Sequence, residues 1–151
     1  MGPEQVQELC AEILAKGPDI TSATAWTDGS RRPSGLLISF SSGARLWIGI
    51  TTANATSAEP AQTTSSAPPL PQLYDAAGKI TPPRAELYLA AVLMSAHAPE
   101  IASAYGYSAS PGHPGVGLHL TDGGRAFLPF VFTAAHGKKP AARPFTVDAA
   151  F

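Results

Sequence analysis

The chain has 151 residues, of which 44% are hydrophobic and only 14% charged, with a net charge of −1, fifteen prolines, fourteen glycines and one cysteine. That length suits one domain with a buried core, and a charge near zero excludes a general electrostatic hold on nucleic acid or an anionic membrane. A lone cysteine excludes an intramolecular disulfide, and no apolar run reaches the ~18–20 residues of a membrane helix.

Pro3 to Lys16 reads as a helix. Val6, Leu9, Cys10, Ile13 and Leu14 recur at the three- and four-residue spacing of one face, Pro3 suits the first turn and Lys16–Gly17 marks the stop. Cys10 on that apolar face reads as an inert, buried thiol. Glu4 and Glu8 near the start, with no basic-then-apolar segment, point to a cytoplasmic protein. Ile20 to Thr27, rich in Thr and Ala and containing Trp26, reads as a strand. Asp28 to Ser34, with Gly29, Arg31, Arg32 and Pro33, is a loop. Leu36, Ile38 and Phe40 alternate with Leu37 and Ser39, Gly43 turns the chain, and Leu46, Ile48 and Ile50 alternate with Arg45, Trp47 and Gly49 on the return strand of a hairpin.

Residues 51–72 are Ala, Thr, Ser and Pro with almost no large apolar side chain, which predicts a flexible loop. Leu73, Tyr74 and Ile80 are the residues that could dock as order returns. Thr81 is a candidate N-cap, with Pro82 and Pro83 in the first turn of a second helix over 84–98 that Pro99 ends or kinks. Its apolar side chains, Leu87, Leu89, Val92, Leu93 and Met94, wrap most of its circumference, so it should be the more buried of the two. Residues 99–107 are open between a short helix and a strand, and 108–115 form a loop. Val116, Leu118 and Leu120 lead into the turn Asp122–Gly123, and Ala126, Leu128, Phe130 and Phe132 alternate on the way back. Pro129 cannot donate to a ladder, which suggests an edge or a bulge there. Residues 1–133 then form one domain, followed by a basic Pro/Ala tail over 134–151 that ends in the apolar piece Phe145–Phe151.

The two halves resemble each other. Residues 3–50 and 83–130 align at a constant offset of 80 without a gap, with seven identities: Pro3/Pro83, Leu9/Leu89, Ala11/Ala91, Ser30/Ser110, Gly35/Gly115, Gly43/Gly123 and Arg45/Arg125. This pattern is compatible with an internal duplication. The order helix-βββ-helix-ββ predicts an α+β fold with two helices on one face of a mostly antiparallel sheet. That order is similar to the type III secretion chaperone-like fold, which includes bacterial proteins outside secretion systems. The resemblance is one of topology over residues 3 to about 132 and implies no functional residue. The composition and motif-free plan also resemble small actinobacterial proteins, some carried on phages or plasmids.

No catalytic or cofactor motif stands out. His97, His113, His119 and His136 have no metal-ligand spacing, there is no phosphate loop or nucleophile elbow, and the carboxylates have local roles, with Glu86 set to complement the dipole of the second helix. No metal, cofactor or catalytic residue is therefore expected. Three functions remain. The first is protein binding through an apolar sheet face carrying Trp47, Phe127 and Val131 with Arg45 and Arg125, as an adaptor or chaperone-like homodimer. The second is accessory nucleic-acid binding through Arg31, Arg32, Lys138, Lys139 and Arg143. The third is a small enzyme, which needs His113, His119 and Tyr105 to meet in one pocket.

Overall fold

The computed structural model describes residues 2–27, 34–53, 69–107 and 113–151, so the loop arginines Arg31 and Arg32 lie outside the described residues. Helix α1 spans Pro3–Leu14 and is followed by strands β1 (Ile20–Ala25), β2 (Gly35–Phe40), β3 (Arg45–Gly49) and β4 (Thr51–Ala53). Helix α2 spans Pro82–Ser95 and is followed by β5 (Ile101–Gly106), β6 (Gly115–Leu120) and β7 (Arg125–Ala134). The strands form one curled antiparallel sheet in the order β1-β2-β3-β7-β6-β5, with β4 also on β7. The open stretch 99–107 is thus mainly strand, and the segment expected to be loop from residue 51 begins with a short strand.

Why these residues form this sheet is clear from their burial. Leu36, Ile38, Phe40, Leu46 and Ile48 alternate inward in the first half, and Val116, Leu118, Leu120, Ala126 and Leu128 do so in the second. Both helices lie on that face. Val6, Cys10, Ile13 and Leu14 of α1 and Leu89, Val92 and Leu93 of α2 share a single core with the strands. Tyr88 reaches from α2 into the first half, where its hydroxyl accepts the Asp19 N–H at 2.9 Å. Among the described residues, no helix is long and apolar enough to cross a membrane.

Pairing follows one plan in both halves, but not at one constant offset. The hairpins match at 80: Gly35 pairs Gly49 as Gly115 pairs Pro129, and Ser39 pairs Arg45 as His119 pairs Arg125. The first strands match at 81, both irregular one residue in, between Ile20 and Ser22 and between Ile101 and Ser103. The helices start 79 apart, at Pro3 and Pro82, and the buried Cys10 and Leu14 correspond at that spacing to Leu89 and Leu93. The gapless alignment is corrected accordingly. Connections absorb the one-residue slips, whereas a slip inside a strand would turn its core face to solvent.

β7 is central rather than marginal. Its second half pairs β3, and its first half lies between β4 and β6. Phe130 N–H donates to Pro114 O, so the even-numbered residues of β7 bond toward β6 and the nitrogen of Pro129 faces the other way. There β3 gives way to β4 at Ile50, so the missing donor breaks no ladder bond. A register shift follows at once: Ile48 pairs Phe130 and Trp47 pairs Phe132, leaving Val131 as the extra residue.

The C-terminal segment is docked. Phe145 N–H donates to Val131 O, and Phe132 and Thr146 form a parallel bridge. Buried Thr133 donates to the Asp148 carboxylate at 3.1 Å and accepts the Asp148 N–H at 2.9 Å. Phe151 and Ile80 exchange two backbone hydrogen bonds, and the Phe151 ring, 3% exposed, packs in the core.

Candidate functional site

The helices cover one face of the sheet, and the other is lined by aromatic rings. In the first half the chain leaves β1 at Trp26, whose indole lies across Gly35. A Cβ on Gly35 would come within 2.8 Å of Trp26 Cε3 and 2.6 Å of Ile48 O, so only glycine leaves room for the ring. Phe132 stands edge-on to Trp26 at 6.1 Å and to Trp47 at 6.2 Å, a favourable arrangement for ring quadrupoles. The Arg45 guanidinium sits 4.9 Å from the Trp47 ring centre, and its Nη2 donates to Lys138 O at 2.8 Å.

The second half repeats the device. Tyr107, at the position of Trp26, lies across Gly115, and Tyr105 lies across Gly117 with its ring where a Cβ would be. Tyr105 stacks at 5.3 Å on His119 and stands 6.0 Å from Tyr107. Phe127 and Pro129, both half-buried, continue the row on β7, and exposed Arg125 pairs with His119. The Tyr107 hydroxyl is buried without a hydrogen-bond partner among the described residues; burial and then the neighbouring Tyr105 push its pKa up to about 12. It stays a neutral phenol at physiological pH.

Behind this row Glu86 does more than face a helix dipole. Its carboxylate, on a residue 1% exposed, accepts the Tyr107 N–H at 2.8 Å and the Gly115 N–H at 3.0 Å. The chain is therefore fixed on both sides of residues 108–112. In the first half Gln7 stands at the equivalent position and donates through Nε2 to Gly35 O at 2.7 Å.

Of the residues expected to bind a protein partner, Phe127 and Arg125 are accessible on this face. Trp47 is 8% exposed and Val131 is 0% exposed, so these two serve packing within the chain. Arg45 is held by Trp47 and Lys138. Trp26, Tyr105, Tyr107 and Phe132 were missed by alternation alone; the signal that could have found them is the Gly at 35, 115 and 117 in otherwise large-residue strands. The histidines do not converge. His113 bonds Phe130 O and meets Phe145 edge-on at 5.2 Å, while His119 lies at the far end of β6, roughly 20 Å away at the rise of a strand. No group of three metal-ligating side chains occurs among the described residues. Lys138 borders a cavity of about 330 Å³ with Ser42, Lys79, His136 and Phe151, and Lys139 and Arg143 are exposed and do not line it. Comparison of the chain with protein-family models, with curated proteins and with solved structures finds no match in any of the three.

Proposed function

We propose that this protein is a small cytoplasmic binding module, adaptor or chaperone-like, that holds an apolar segment of a partner protein against the helix-free face of its sheet. The observation that carries this reading is the run of half-buried rings on that face, Trp26 and Phe132 in one half and Tyr105, Tyr107 and Phe127 in the other. Rings laid flat over glycines give a broad apolar surface with little side-chain entropy left to lose on binding. Arg125 and His119 supply a polar rim. The element order supports a likeness to the type III secretion chaperone-like fold, and the matched pairing of the two halves supports an origin by internal duplication.

The test uses a permanently unfolded polypeptide, reduced and carboxymethylated, with a fluorescent label, and follows its anisotropy at low and high salt. The expected result is binding that changes little with salt and is lost in the double variant Tyr105→Ser, Phe127→Ser, whose unfolding midpoint shows that it still folds. Light scattering gives the mass of the free chain, and a dimer that hides this face would remove the reading. Binding of a single-stranded oligonucleotide that falls steeply with salt would favour the nucleic-acid alternative through Lys138, Lys139 and Arg143.

A further inference from the structure

We propose that the cavity beside the tip of the first hairpin binds the phosphate group of a small soluble phosphomonoester. Three turns from distant parts of the chain enclose its 330 Å³: the tip at Ser42 and Ala44, the turn from Ala77 to Lys79, and the segment from Ala135 to Lys138, with Phe151 beside them. None of these residues belongs to the aromatic row of the helix-free face.

The charge of the lining is of one sign. Lys79, His136 and Lys138 line the cavity, and no Asp or Glu does. Asp75, the acid nearest to Lys79 in the chain, turns Oδ1 to the N–H groups of Ala77 and Lys79 and lies outside the lining. A cleft lined by one sign of charge concentrates the opposite ion. The backbone that carries the basic groups is fixed. Asp75 N–H donates to Lys79 O at 2.8 Å, Lys138 N–H donates to Ala135 O at 2.9 Å, and Arg45 Nη2 donates to Lys138 O at 2.8 Å. The His136 ring fills the space that a Cβ on Gly43 would need.

The second half supplies the comparison. At the hairpin offset of 80, Ser42 corresponds to Asp122, and both do one local job. Ser42 Oγ accepts the Ala44 N–H at 3.3 Å, and Asp122 Oδ1 accepts the Gly124 N–H at 2.8 Å. A carboxylate makes the shorter and stronger bond, yet the tip that lines the cavity with two lysines has the neutral hydroxyl. Ser42 Oγ acts only as an acceptor among the described residues, so its own hydrogen is left for a ligand. A phosphomonoester brings about −1.5 to −2 charge and three acceptor oxygens, which match two ammonium groups, an imidazole and a hydroxyl. Lysine binds phosphate as a point charge. Ala77, Ala135 and Phe151 give an apolar wall for a small organic group, and the volume lies at the low end of the ~300–1,000 Å³ of small-molecule sites.

The experiment titrates phenyl phosphate into the full chain and follows the backbone amides by NMR, with inorganic phosphate and benzoate in parallel. The expected result is saturable shifts at Gly43, Gly78, Lys79, Gly137 and Lys138, with the ester bound tighter than either parallel probe. Lys79→Ala and Lys138→Ala should each weaken binding about three- to tenfold, and Lys139→Ala, outside the lining, should not. Ser42→Asp repeats the residue of the second tip and should cost at least about tenfold, whereas the neutral Ser42→Asn should keep most of the affinity. Unfolding midpoints show that the variants fold. Equal losses in Ser42→Asp and Ser42→Asn, equal effects of Lys138→Ala and Lys139→Ala, or no saturable shift at these amides would overturn the proposal. Inorganic phosphate bound as tightly as the ester would leave an adventitious ion only. Tighter binding of an oligonucleotide or of phosphatidate vesicles at the same amides would give the cluster to a macromolecular surface instead. Binding seen only in a chain extended past Phe151 by Gly-Ser would mean that a carboxylate at Phe151 fills the cavity, which also overturns it.

Discussion

Replacing Glu86 with Leu tests how the second half of the sheet is held shut. The side chains are similar in size, so the change removes an acceptor without opening a cavity. Two backbone N–H groups lose their partner: that of Gly115, which is buried, and that of Tyr107, which is partly buried. An unsatisfied buried donor costs about 1–3 kcal/mol. The more apolar side chain offsets about 1 kcal/mol of the total, which leaves an expected destabilisation of about 1–5 kcal/mol. That is a large share of the roughly 5–15 kcal/mol that stabilises an ordinary domain. Gln7→Leu is the internal control. It removes one donor from Gly35 O, a carbonyl that still accepts the Trp26 N–H, so its cost is about 0.5–1.5 kcal/mol. Glu86→Gln keeps an acceptor oxygen and falls between the two. Equilibrium unfolding in urea measures all three. Equal costs for Glu86→Leu and Gln7→Leu, or a cost below about 1 kcal/mol for Glu86→Leu, would refute the assignment of Glu86 as the group that fixes both ends of residues 108–112.

Cys10 is fully buried, and burial raises its pKa from 9.0 to about 12. Thiol reagents at neutral pH should label it only when the chain opens, so its labelling rate follows unfolding. The folded state keeps that proton longer, so this group's contribution is constant below pH 9 and declines as the pH rises from 9 toward 12; Cys10→Ala should flatten the decline measured by unfolding across that range. Asp75 accepts the N–H of Lys79 at 3.0 Å and of Ala77 at 2.9 Å, and the Lys79 bond foremost lowers its pKa. Its stabilisation is present above the ordinary carboxylate pKa of 3.8 and is lost as the pH falls through the lowered value, a trend that Asp75→Asn should remove in an acid unfolding series. Phe151→Ala should cost about 3 kcal/mol and make the segment after Thr133 the first site of limited proteolysis; an unchanged cleavage pattern would mean that the segment does not depend on this ring. Gly35→Val and Gly115→Val should each displace the ring above them and blue-shift Trp26 or Tyr107 absorption relative to the natural chain, since a Cβ has no space at either position.

Much of the fold was legible because it depends on local pattern. The period of Val6, Cys10, Ile13 and Leu14 implies α1, the alternation of Leu36, Ile38 and Phe40 implies β2, and the turns at Gly43 and Asp122–Gly123 imply two hairpins, all of which the structure contains. Gly43 and Gly123 share φ near +89°, a conformation that favours glycine, so two turns 80 residues apart were marked by composition alone. Residues 99–107 were undecided because Ile101 to Gly106 mixes small and aromatic side chains without a clean period, and pairing with β6 decides the matter.

The candidate site was less legible, because exposure is a property of the neighbours. Alternation places Trp47 on the outer face, and the structure agrees, yet Phe132 and Arg45 bury it. Trp26 and Tyr107 directly follow β1 and β5, and only the folded sheet lays them over Gly35 and Gly115, on the neighbouring strands. By itself the sequence determined the helices, the hairpins and the side of each strand that faces the core, since periods of 3.6 and 2 are set by backbone geometry within a few residues. Tertiary structure decided which strands meet, that β7 runs through the centre, that Met94 of α2 reaches an amide of β5, and that Glu86 bonds two amides far from its own turn. Those outcomes depend on pairings between residues distant in the chain, where packing and hydrogen-bond satisfaction select one arrangement from the many that local pattern allows.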